Sequence, residues 1–120
     1  MPNNTQKGNM GEVTAINYLK NHNYIILEQN WRFKHLEIDI IALLDTTLVI
    51  VEVKWRSSIA FGAPETFVTK QKQKNLIKAA DYYIKSKGLN YETRFDVISI
   101  VEGFPASKVE HIIDAFYPHL

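Results

Sequence analysis

The chain has 120 residues, 46% hydrophobic and 22% charged, with a formal net charge of +1 and no cysteine. That is the composition of one ordinary globular domain, residues 1–120, and it excludes disulfides and thiolate metal sites. The near-neutral charge confines any basic surface to a local patch.

No apolar run reaches the roughly 18–20 residues of a membrane span. The opening Met1–Lys7 lacks the apolar core of a signal peptide. A cytoplasmic location with no membrane partner is therefore expected. Residues 1–7 are polar and expected to be loose. A helix is predicted from about Gly8 to His22, because Glu12, Ala15, Ile16 and Leu19 recur at helical spacing. Glu12 thereby falls on the core-facing side, an unusual place for a carboxylate.

Tyr24–Glu28 reads as a first strand and Glu37–Leu44 as a second. The turn signal Asp45-Thr46-Thr47 leads into a third, Leu48–Trp55, so the second and third strands form an antiparallel hairpin. Ser57–Ala63 reads as a loop, and Pro64 suits the first turn of a helix. That helix is predicted over Glu65–Lys87, stopping at Gly88, with Leu76, Ala79, Ala80, Tyr83 and Ile84 as its core stripe. Arg94–Val101 and Val109–Phe116 complete the strands, separated by a turn over Gly103–Ser107. The order α-β-β-β-α-β-β implies an α/β fold, a mixed central sheet flanked by helices.

The third strand carries the unusual chemistry. It is apolar enough to be buried, yet Glu52 and Lys54 project from one face of it. An uncompensated buried charge is costly. Hairpin parity brings in a third group. Pairing Leu44 with Thr47 sets Asp39 opposite Glu52, and pairing Asp45 with Leu48 sets it opposite Lys54. Either register gathers Asp39, Glu52 and Lys54 on one face, with Cβ separations of roughly 4.5–8 Å. Glu37 lies one step further along. Two carboxylates so close repel, and a hard divalent cation, Mg²⁺ or Mn²⁺, relieves the repulsion through oxygen ligands and retained waters. Lys54 beside it is suited to orient a water or stabilise charge on a phosphate. The same residues also admit a structural ion-pair network with Lys54 between the acids.

Asp39, twelve intervening residues and Glu52-Val53-Lys54 resemble the PD-(D/E)XK signature of the restriction-endonuclease-like superfamily. Gly8-Asn9-Met10-Gly11-Glu12, Glu37–Ala42, Val51–Arg56, Phe61–Pro64, Arg94–Val97 and Ala115-Phe116 follow the pattern of the YraN family of uncharacterised bacterial proteins assigned to it. One departure is Leu36, where that family usually has Gly. The resemblance covers residues 8 to 116. It implies a restriction-endonuclease-like fold and a metal-dependent nuclease acting on DNA or structured nucleic acid. Asp39 and Glu52 would ligate the metal, with Glu12 and the Val53 carbonyl contributing, and Lys54 would serve the nucleophile. It also makes a homodimer an expectation. The alternative is a non-catalytic nucleic-acid-binding module that retains the fold.

Further candidates for nucleic acid are Arg56, just beyond the ExK motif, and Lys70, Lys74 and Lys78, which form one ridge on the long helix. A solvated helix edge is the competing reading of that ridge. Arg94 and Asp96 share a strand face and are expected to pair. Trp31 and Trp55 are expected to pack rather than stack on bases. His22, His35, His111 and His119 show no metal-binding spacing.

Overall fold

The computed structural model describes residues 4–56, 68–103 and 106–118, with side chains from Met10 onward in the first helix. The elements run α1 (Asn4–Asn21), β1 (Ile25–Phe33), β2 (Leu36–Leu44), β3 (Thr47–Arg56), α2 (Lys70–Lys87), β4 (Glu92–Val101) and β5 (Lys108–Phe116). The element order is the expected one. The five strands form one mixed sheet in sequence order, parallel only between β3 and β4, where α2 makes the crossover.

The boundaries differ from expectation in ways that have causes. Helix α1 begins at Asn4 rather than Gly8 and ends at Asn21, and Asn23 in the turn that follows takes the left-handed conformation (φ 70°) usually left to glycine. Helix α2 begins at Lys70 rather than Glu65. Its start is fixed by Thr69, whose hydroxyl accepts the Lys72 N–H at 3.1 Å. Gly88 (φ 63°) closes it, with Leu89 N–H bonded to the Ile84 carbonyl and Gly88 N–H to that of Lys85. The loop expected over Ser57–Ala63 and the helix start at Pro64 lie outside the described residues, as does part of the turn between β4 and β5.

Strand β1 runs on to Phe33, well past Glu28. A register shift between Ile26 and Glu28, and Asn30 at φ 49°, break the two-residue alternation by which a strand is read.

Each face of the sheet is covered by one helix. Leu76, Ala79, Ala80 and Tyr83 of α2 pack on Ile38, Ile41, Leu48, Ile50, Phe95 and Val97. Ala15, Ile16 and Leu19 of α1 pack on Ile40, Ala42, Val49, Val51, Ile98 and Ile100. Burying such aliphatic side chains contributes about 1.5–3 kcal/mol each, which holds the two layers to the sheet.

A buried polar network ties β4 to β5 beneath α1. Asp96 is 1% exposed. It accepts two hydrogen bonds from Arg94 (2.9 and 2.8 Å), one from His111 Nε2 (2.7 Å) and one from the Asp114 N–H (3.2 Å). Tyr18 meets His111 Nδ1 at 3.1 Å, and Arg94 donates to the Tyr24 hydroxyl at 2.7 Å. The expected Arg94–Asp96 pair is thus the centre of a larger group. Asp114 (φ 55°) sits where β5 bulges opposite Asp96, so the carboxylate supplies the acceptor that the interrupted ladder lacks.

Candidate active site

The β2–β3 hairpin turns through Asp45 and Thr46 and pairs Leu44 with Thr47, the first of the two expected registers. Asp45 takes the positive φ (54°) that so tight a turn requires. Pairing continues only to Ile40↔Val51. Beyond that point the strands part, and Leu36, Glu37 and Ile38 remain paired to β1 while Glu52–Arg56 stay with β4.

Asp39 fills the opening between them. Its Oδ2 accepts the Val53 N–H at 2.9 Å, in place of a ladder carbonyl. The alternation of β2 slips at the same place. Ile38 faces the α2 core, but Asp39 and Ile40 both lie on the α1 side. The expectation that Asp39, Glu52 and Lys54 share one face is therefore corrected. Glu52 and Lys54 face α2, and Asp39 reaches Glu52 from the α1 side through the gap where the strands separate.

On the α1 side a cleft of about 180 Å³ is lined by Gly11, Glu12, Asn30, Glu37, Asp39, Val53 and Trp55. Glu12 does point inward, as its place in the core stripe requires. It is half-buried, and burial followed by the charges of Asp39 and Glu37 raises its pKa, opposed by a hydrogen bond with Asn30. Glu12 reaches the cleft because Gly11 rests on the sheet. A Cβ at Gly11 would lie 3.2 Å from Cε3 of Trp55 and 3.7 Å from Cγ1 of Val53. Trp55 is held by its indole N–H, which donates to Glu102 at 3.0 Å, so it packs as expected.

On the α2 side Glu52 is 4% exposed. Its Oε2 lies 3.5 Å from the Lys54 Nζ and 3.6 Å from the Lys72 Nζ. Asp39 is pushed up to about 7, first by burial, then by the Glu52 charge and a hydrogen bond with its carboxyl. The Val53 N–H and the Lys72 charge pull the other way without cancelling the rise.

Asp39 and Glu52 are thus brought together, with Glu12 and Glu37 beside Asp39 and Lys54 beside Glu52. Among the described residues no set of three or more His, Cys, Asp or Glu side chains is already arranged to hold a metal ion. The pair fits a cation that keeps several waters and takes only one or two carboxylates, as Mg²⁺ does.

The candidates outside this group are dispersed. Arg56 is committed within the sheet, donating to Ser99 (3.0 Å) and Glu110 (3.1 Å). Lys70, Lys74 and Lys78 are exposed, and Lys74 and Lys78 border an apolar groove over Ile77, Ala80, Ile84 and Phe95, away from the acidic pair.

Lys72 was missed by the sequence reading, which followed the every-fourth-residue ridge. The signal was nevertheless present. Lys72 is in phase with Leu76, Ala79, Ala80 and Tyr83 and so belongs to the sheet-facing stripe. It carries the same mark as Glu12, a charge in register with a core face.

No described helix is long and apolar enough to cross a membrane. The family model "Uncharacterised protein family UPF0102" matches residues 11–100. The chain is 45% identical over 117 residues to a UPF0102 protein of Flavobacterium psychrophilum, covering 98% of each. It is 45% identical over 123 residues to one from Chlorobium chlorochromatii (97% and 95% covered) and 44% over 115 residues to one from Clostridioides difficile (95% and 99%). The motifs that frame the acidic pair, from Gly11-Glu12 to Arg94–Val97, all fall inside the matched region, and the chain belongs to the UPF0102 family, the YraN family.

Proposed function

We propose that this protein is a metal-dependent nuclease on a restriction-endonuclease-like fold, hydrolysing phosphodiester bonds of DNA or structured nucleic acid. The observation that carries the reading is the Asp39–Glu52 contact. Two carboxylates meet where the sheet splits, Asp39 is pushed up to about 7, and two ammonium groups stand beside Glu52. Acids held against their own repulsion at a cleft are typical of sites that act on a ligand.

Mg²⁺ or Mn²⁺ would be held by Asp39 and Glu52, with Glu12 and the Val53 carbonyl contributing directly or through water. When bound, such a cation polarises the phosphoryl oxygen and makes a water more acidic. The protein's own share is positional. Lys54 holds the attacking water and offsets charge that develops on the phosphate. The Val53 N–H keeps Asp39 aimed into the gap between the strands. Glu12, carried by α1, sets the acidic wall of the cleft. A homodimer would present two such clefts to a duplex.

The test is cleavage of labelled DNA and RNA panels with and without Mg²⁺ or Mn²⁺. Wild type is expected to cut only with the metal, and Asp39→Ala and Lys54→Ala to lose about 10²–10³-fold in rate. Wild type inert on every substrate, or variants with full activity, would end the enzymatic reading. A second reading, the non-catalytic nucleic-acid-binding module, draws on the fact that Lys54 and Lys72 already compensate Glu52 without a metal. It predicts salt-dependent binding with no metal-dependent cleavage.

A further inference from the structure

Among the described residues Glu52 has two cationic neighbours, and they differ in kind. Lys54 comes from the same strand, two residues on, with a side chain 33% exposed. Lys72 comes from α2, with a side chain 39% exposed. Lys72 also sits in the first turn of α2, its backbone N–H capped by Thr69. A helix N-terminus is itself positive and disfavours a cation there. The Glu52 carboxylate offsets this, so the position of Lys72 depends on the negative charge of Glu52. An ammonium on four rotatable carbons is a point charge free to change partners.

We propose that Lys72 is an exchangeable counter-ion. It neutralises Glu52 when no divalent ion is bound, and turns to a non-bridging oxygen of the substrate phosphate when the ion takes its place. The inference rests on the nuclease reading and adds a phosphate-positioning residue to it. A divalent ion held by Glu52 and Asp39 uses up the negative charge that Lys72 offsets and repels its ammonium, which is then free to pair with the phosphodiester. Lys72 thus makes opposite contributions to the two ligands, opposing the metal and favouring the phosphate.

The experiment measures Mn²⁺ binding and, separately, binding of a fluorescent DNA hairpin in Ca²⁺. Proteins are wild type, Lys72→Met, Lys72→Gln, Lys72→Arg and the remote control Lys85→Met. At about pH 8, where protons compete least with the metal, Lys72→Met and Lys72→Gln should bind Mn²⁺ about threefold to tenfold more tightly than wild type. The same variants should bind the hairpin about threefold to tenfold more weakly. Lys72→Arg should return both towards wild type, and Lys85→Met should change neither. A merely structural lysine would move both affinities in one direction or leave both unchanged, and either result overturns the proposal. Wild type that fails to bind Mn²⁺ up to about 10 mM removes the metal site itself. Wild type that binds, with Lys72 variants no tighter, removes only the role given to Lys72.

Discussion

Two buried acidic clusters share this sheet, and their surroundings push them in opposite directions. Burial alone would raise the pKa of Asp96, yet the hydrogen bonds from His111 and Arg94 hold it below the usual carboxylate range. Burial also raises Asp39, and its nearest charged neighbour, Glu52, raises it further. Asp96 has four donors, enough to fill the acceptor sites of a carboxylate; Asp39 has the Val53 N–H, the charge of Lys72 and a rival acid. The first arrangement is complete and joins α1, β4 and β5. The second is complete only with an added proton or cation. The degree of compensation, more than the presence of buried acids, separates a structural cluster from a candidate site.

The comparison breaks most sharply at Asp96. Asp96→Ala strands Arg94 and His111 in the interior and should cost about 3–5 kcal/mol in urea unfolding. A loss below about 1 kcal/mol would mean that the two clusters are not different in kind.

Asp39 should behave in the opposite sense. Its folded pKa of about 7 lies above the ordinary 3.8, so the folded state holds the proton more tightly than the unfolded chain. Stability contributed by that proton is present at low pH and is lost as pH rises between those values. Asp39→Asn keeps an acceptor for the Val53 N–H and removes the titration. It should match wild type near pH 4 and exceed it by about 1–2 kcal/mol at pH 8 without divalent ions, the coupling to Glu52 keeping the gain below the full shift. Saturating Mn²⁺ should raise the Tm of wild type and leave that of the variant unmoved.

A finer probe is Tyr18→Phe, which deletes one outer hydrogen bond of the complete cluster. About 1 kcal/mol is expected, read from the same unfolding curves. As a baseline, Asp81→Ala breaks the exposed Asp81–Lys85 pair (2.9 Å) and should change stability by less than about 0.5 kcal/mol.

What could be read in advance followed from local rules. Hairpin parity narrowed the register to two, of which the structure takes Leu44–Thr47, and helical phase placed Glu12 inward. What could not be read depends on partners distant in the chain. Arg56 is neutralised by Glu110 on β5, and Asp96 gathers Tyr18, Tyr24 and His111 from three other segments. The second half of β1, beyond Glu28, hid behind a bulge and a positive φ at Asn30. The slip of β2 at Asp39-Ile40 was equally invisible, because alternation presumes a partner strand that here has already turned away.

Gly11 has a mechanical consequence. With only a hydrogen facing Trp55, α1 is seated directly against the indole ring, and Glu12 is the next residue along. That contact acts as a spacer gauge, setting how far the Glu12 carboxylate extends over the cleft. One added methyl would have to lift the helix or tilt the ring by a few tenths of an ångström. The width of the acidic opening is therefore calibrated by a lining residue with no charge and no side chain.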